Sequence, residues 1–237
     1  MAQATAGTQA QPVSVTPWDR LDPAKWAAVA LMVANHLCLA LPAPWPTVGH
    51  LLGRPCLALF AVILASRLAD RPERRVRPAA LRLLAWGAAA QIPYLLLVGG
   101  AALRLNVLFT LALGVGGYWL WRRGRFGWLA LAAVGAALIN PWLDGGALGA
   151  AAVGVAAVLA ERRRPVQAAV AAAVLVAAAN LIADPSRAWA AAAVLAALPI
   201  LWLSQRLPRA PRLPGWLFYA FYPAHLALIW LLFGPYA

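Results

Sequence analysis

A chain of 237 residues that is 64% hydrophobic and only 11% charged does not fold as a water-soluble domain, where roughly a quarter of the residues are charged. Its mean hydropathy of +0.74 makes lipid the solvent, and the length leaves no room for a second, soluble domain. The net charge of +13 would suggest nucleic acid in a soluble protein, but here the basic residues stand at the ends of apolar runs, where they set membrane orientation; nucleic-acid binding is set aside on that ground.

In chain order, residues 1–20 read as a disordered tail. Met1 to Pro17 carry no charged side chain and have neither the basic nor the apolar segment of a signal peptide. The remainder, residues 21–237, reads as one all-α transmembrane domain. Apolar runs predict nine spans, over 24–41, 51–69, 79–98, 105–121, 126–140, 145–160, 166–183, 189–203 and 216–233. They are predicted as helices because a lipid-exposed backbone must satisfy its own polar groups within each segment.

The basic residues predict the orientation. With the N-terminus inside, seventeen of the twenty Lys and Arg fall on the inner side, and only Arg54, Arg104 and Arg187 lie outside. That split is a positive-inside signal for an odd number of spans, so the C-terminus is expected outside. Tryptophans such as Trp26, Trp45, Trp119, Trp142, Trp202 and Trp216 sit near the run ends, where an amphipathic ring prefers the interface. Spans five to eight are mostly Ala, Val, Leu and Gly and read as scaffold, with Gly145 and Gly149 allowing close helix approach. Cys38 and Cys56 read as small core residues. Asp144 and Asp184, in outer loops, are expected to cap adjacent helices.

Polar residues inside lipid are costly and therefore mark function. His36 lies twelve residues into the first run, about 18 Å from the inner face, with Asn35 beside it to orient a nearby group. His50 reads as interfacial and solvated. Arg54 opens the second span from the outer side, either as an interface anchor or as part of a site. Gln91, followed by the helix-bending Pro93, lies in the third span, and Asn106 opens the fourth; each could equally be an ordinary packing hydrogen bond. His225 sits in the middle of the ninth span beside Tyr222 and Pro223, where the proline frees the carbonyl four residues back. His36, Arg54, Gln91, Asn106 and His225 are expected to converge on one polar cavity between the midplane and the outer face.

On these residues the chain resembles the TraX family, the pilin acetylation proteins of F-type conjugation systems. The likeness runs in order through Leu31–Leu37, Gly53-Arg54 with Leu59-Phe60-Ala61, Gln91-Ile92-Pro93-Tyr94, Leu105–Leu111, Asp144-Gly145 with Gly149, and Phe221–Leu226, and covers almost everything from Leu21 onward. The resemblance implies an acetyltransferase of the bacterial inner membrane that modifies the N-terminal amine of a pilin subunit, with acetyl-CoA as donor and no metal. It also implies a distant similarity to membrane acyltransferases in which an intramembrane His carries the chemistry; the matching residue is His36. The family usually has Asp-His where this chain has Asn35-His36, which removes a charge beside the imidazole. The expected roles are His36 as base, Arg54 or Asn106 as oxyanion donors, and His225 as a relay or acceptor-orienting group, with Asn35, Gln91 and Tyr222 in support. An O-acyltransferase for an extracytoplasmic glycan or lipid uses the same site logic, and a non-catalytic pilus-assembly protein is the other reading. A transporter would show repeated halves, which this distribution of polar residues lacks.

Overall fold

The computed structural model describes residues 21–99, 104–184, 188–208, 210–211 and 214–235. The expected tail and Arg20, Arg187, Arg209 and Arg212 of the orientation argument lie outside them. Among the described residues the chain is helical, with a single isolated bridge between Leu105 and Leu143 as its extended pairing. The helices are α1 Asp22–Leu39, α2 Trp45–Ala69, α3 Val76–Leu97, α4 Val107–Arg122, α5 Phe126–Leu138, α6 Gly146–Glu161, α7 Pro165–Ala183, α8 Ala188–Val194, α9 Ala197–Ser204 and α10 Gly215–Phe233.

Every predicted run is helical, but the eighth is broken into α8 and α9. The cause is Pro199, which has no N–H for the carbonyl of Leu195 and whose ring crowds it. That carbonyl instead accepts from Leu198 N at 3.0 Å, a tight turn that separates the two pieces. Among the described residues, four helical stretches are long and apolar enough to cross a membrane: Trp45–Ala69, Glu73–Leu97, Pro165–Ala183 and Gly215–Phe233.

Helix ends follow local chemistry. Proline stands in the first turn of α1, α2 and α7, where its missing donor costs nothing. The expectation that Asp144 caps α6 is corrected. The N-cap is Gly145 in left-handed backbone (φ 87°), and Asn140 Oδ1 accepts from Ala147 N at 2.7 Å. A backbone that turns at Gly145 and Gly146, both at positive φ, brings the Asn140 amide rather than the Asp144 carboxylate to the helix start. Asp184 directly follows α7 in extended backbone.

α2 and α6 form the centre of the bundle, α2 packing on α1, α6, α7 and α8, and α6 also on α4 and α7. Small residues set these distances. A Cβ on Gly49 would lie 2.8 Å from Cys38 Cβ, and one on Gly53 would lie 2.5 Å from Asn35 Cγ, so α1 and α2 meet across a Gly-x-x-x-Gly face. Gly145 and Gly149 likewise admit Leu57 of α2. By contrast α5 buries no residue and touches chiefly α4 and α6.

At one end of the bundle the helix termini are linked by ion pairs: Arg67–Asp22 at 2.8 Å, Arg122–Glu161 at 3.4 Å, Arg163–Asp70 at 3.0 Å, and Arg123–Glu73. These groups belong to the start of α1, the ends of α2, α4 and α6, and the turns beside them. The alternation of starts and ends on one face fixes the up-and-down order of the first six helices.

Candidate functional site

The site grows from α10. Phe221, Tyr222 and His225 are spaced three and four residues apart and so share one face of the helix. His225 and Tyr222 are buried, at 6% and 4% exposure. The Phe221 ring stacks on the His225 ring at 5.0 Å between centroids, and Tyr222 meets it edge-on at 5.5 Å. His225 Nδ1 lies 2.9 Å from the Phe221 carbonyl oxygen.

α1 delivers the second imidazole. His36 stands in its last turn, half-buried, with Nδ1 2.9 Å from Nε2 of His225. The two rings stack at 5.1 Å, and Tyr222 lies edge-on to His36 at 6.4 Å. Two histidines 189 positions apart in sequence thus make a direct hydrogen bond. Asn35, one residue earlier, points elsewhere: it packs on Gly53 of α2 and makes no side-chain hydrogen bond among the described residues. The expected orienting role of Asn35 toward its neighbour is therefore not realised.

The remaining polar residues form two other networks rather than one shared cavity. Arg54 on α2 donates to Asn180 Oδ1 of α7 at 2.5 Å and lies 3.5 Å from His50 Nδ1. Asn180 in turn donates to the Val176 carbonyl at 2.8 Å. His50 is therefore a partly buried partner of Arg54, not a solvated interfacial group. Asn180 was missed because it lies in the apolar half read as scaffold, although a lone Asn inside such a run is itself a signal.

Gln91 and Asn106 make the third network. Asn106 is fully buried. Its Oδ1 accepts from Leu108 N at 3.1 Å and caps α4, while its Nδ2 donates to the Gly87 carbonyl at 2.8 Å and to Gln91 Oε1 at 2.9 Å. Gln91 Nε2 reaches the Arg104 carbonyl at 2.5 Å. Both amide hydrogens of Asn106 are engaged, so the expected oxyanion donor is instead a helix cap that ties α3 to α4. Nearby, Thr110 donates to the Asp144 carbonyl at 2.5 Å, joining α4 to the turn before α6.

Of the three networks, the imidazole pair is the one whose groups exchange protons readily. A neutral imidazole accepts a hydrogen bond at one ring nitrogen and donates from the other, so the pair can relay a proton between α1 and α10. No curated protein and no solved structure matches the chain. A family model does, that of the TraX protein, over residues 20–233. That span begins just before α1 and closes at the end of α10, taking in both histidines, and by it the chain belongs to the TraX family.

Proposed function

We propose that this protein is a membrane-embedded acetyltransferase that transfers an acetyl group to the N-terminal amine of a pilin subunit in the biogenesis of a conjugative or related pilus. The observation that carries the reading is the 2.9 Å hydrogen bond between His36 and His225, because imidazoles are expensive inside lipid and a bonded pair is poised for proton transfer. Family membership supplies the pilin and conjugation context.

In this reading the protein spans the bacterial inner membrane nine times, with its N-terminus in the cytoplasm and its C-terminus outside, α8 and α9 sharing one crossing. The uneven distribution of arginines supports that orientation. Acetyl-CoA approaches from the basic inner side and the pilin amine from the outer side.

The neutral amine attacks the thioester carbonyl and forms a carbon–nitrogen bond. His36 takes the proton that the nitrogen must lose, a step typically worth ~10²–10⁴ in rate. The tetrahedral intermediate then collapses, the carbon–sulfur bond breaks, and the departing thiolate takes the proton back from the imidazolium. The products are an N-acetylated pilin and a free thiol, with the enzyme unchanged. A free α-amine has a pKa near 7.7–8.0, so the base has modest work to do.

The test is mass spectrometry of mature pilin from cells carrying the wild-type chain or His36→Ala. The wild type adds the mass of one acetyl group to the N-terminal peptide and the variant does not; an unchanged acetylated mass in the variant refutes the role of His36. An acetyl group released by hydroxylamine would place it on oxygen and move the reading to the O-acyltransferase.

A further inference from the structure

His225 has a more specific task than lying near His36. We infer that it is the positioning residue that fixes the tautomer of His36, through a one-way chain in which His36 Nδ1–H donates to His225 Nε2 and His225 Nδ1–H donates to the Phe221 carbonyl. The deepest member of the chain decides the rest. A carbonyl oxygen has no hydrogen to give, so the 2.9 Å approach of His225 Nδ1 to Phe221 O requires the hydrogen on Nδ1. A neutral imidazole carries one N–H, and Nε2 of His225 is therefore a lone pair. The 2.9 Å contact to His36 Nδ1 then requires the hydrogen on His36 Nδ1. That leaves Nε2 of His36 as the one unprotonated nitrogen of the pair not already accepting a hydrogen bond from the other ring.

Neutral rings are the consistent state. The carboxylates that form ion pairs cluster at the end of the bundle where α1 begins. His36 lies fourteen residues further along α1, about 21 Å away at 1.5 Å per residue. Among the described residues no carboxylate pairs with either imidazole, and a charged ring without one is costly in lipid. The packing also holds the chain in place: Phe221 stacks on His225 at an interplanar angle of 11°, and Tyr222 sits edge-on to both imidazoles.

The logic is that of a base whose far nitrogen is held by an acceptor so that the near nitrogen faces the substrate. Here the acceptor is a second imidazole, relayed to a backbone carbonyl, instead of a carboxylate. Asn35 takes no part in that chain, because its side chain packs on Gly53 of α2.

The inference rests on the acetyltransferase reading for the word base, but the tautomer can be measured without activity. The full chain is labelled with ¹⁵N-histidine and reconstituted in lipid. Its three histidines are assigned by loss of signal in single variants. The expected spectrum has His36 protonated at Nδ1 and bare at Nε2. His225→Leu is expected to give a mixture of tautomers and to lower kcat by about 10²–10⁴-fold, approaching the loss seen when a triad base takes the wrong tautomer, with the KM for the donor little changed. His225→Gln, whose amide oxygen can accept where Nε2 did, restores the tautomer and at least part of the rate. A wild-type His36 protonated at Nε2 overturns the inference, as does a folded His225→Leu protein with unaltered tautomer and kcat. If the wild type transfers no acetyl group at all, the acetyltransferase reading fails while the spectrum still decides the hydrogen-bond chain.

Discussion

The crossing of α4 and α6 offers the sharpest test of how this bundle is held, because it has an internal control on the same helix. A Cβ on Gly114 would lie 2.4 Å from the carbonyl oxygen of Ala150, 2.6 Å from Val153 Cβ and 3.2 Å from Val153 Cγ1. Comfortable contact is at about 3.5–4.0 Å, so the helices must separate by about 1 Å. Overpacking costs typically 1–3 kcal/mol, and the nearest obstacle is backbone, which cannot rotate away, so Gly114→Ala belongs at about 3 kcal/mol. Gly116, two residues on, has nothing within 4 Å of the same position. Gly116→Ala is expected to be neutral or to stabilise by up to about 1 kcal/mol through lost backbone freedom. Unfolding in mixed micelles by titrated dodecyl sulfate, followed by circular dichroism, measures both. Equal stability of the two variants, within about 0.5 kcal/mol, would refute the close-packed crossing. The distance matters beyond the crossing itself, since Thr110 of α4 bonds the Asp144 carbonyl in the turn that leads into α6.

Two further substitutions separate structure from chemistry. Asn106→Ala removes the α4 cap and leaves the buried Gly87 carbonyl without its side-chain donor; it is expected to cost about 2–4 kcal/mol while leaving transfer per folded molecule unchanged, and melting together with turnover checks this, since lost turnover in a fully folded protein would return Asn106 to the reaction. Asn35→Ala, which removes a side chain packed on Gly53 and unbonded to His36, is expected to change kcat by far less than the ~10²-fold or more that loss of a general base brings; a drop of that size in steady-state transfer would show that Asn35 does act on the imidazole.

Helix positions were legible because hydropathy and arginine placement act locally: each apolar run needs its own hydrogen bonds, and each loop carries its own charges. The break at Leu195 was not read: Pro199 signals it, but an apolar run of suitable length hid it. Partners were not legible. Sequence places His36, Arg54, Asn106 and His225 at similar depths without saying which way each faces. One residue along a helix turns the side chain by about 100°, enough to send Asn35 to α2 and His36 to α10. The same rotation sends Arg54 to Asn180 on α7, away from the helix that carries His225. Depth can be read from hydropathy; azimuth depends on which helices pack together.

That distinction explains why one bundle holds three polar networks instead of one. Each network joins helices that the apolar contacts alone would leave free to slide: α1 to α10 through the imidazoles, α2 to α7 through Arg54 and Asn180, α3 to α4 through Gln91 and Asn106. In lipid the hydrophobic effect does not choose between helix partners, so such bonds and the glycine contacts set register. In one of the other two networks the central group is fully engaged, Asn106 in its cap, and in the other Arg54 ties α2 to Asn180 of α7. The imidazole pair differs. Its hydrogen bonds, counted from the Phe221 carbonyl outward, leave Nε2 of His36 with a lone pair to use. A network built only for register would have no reason to end on a base, and it is at that nitrogen that the chemistry of this bundle should be sought.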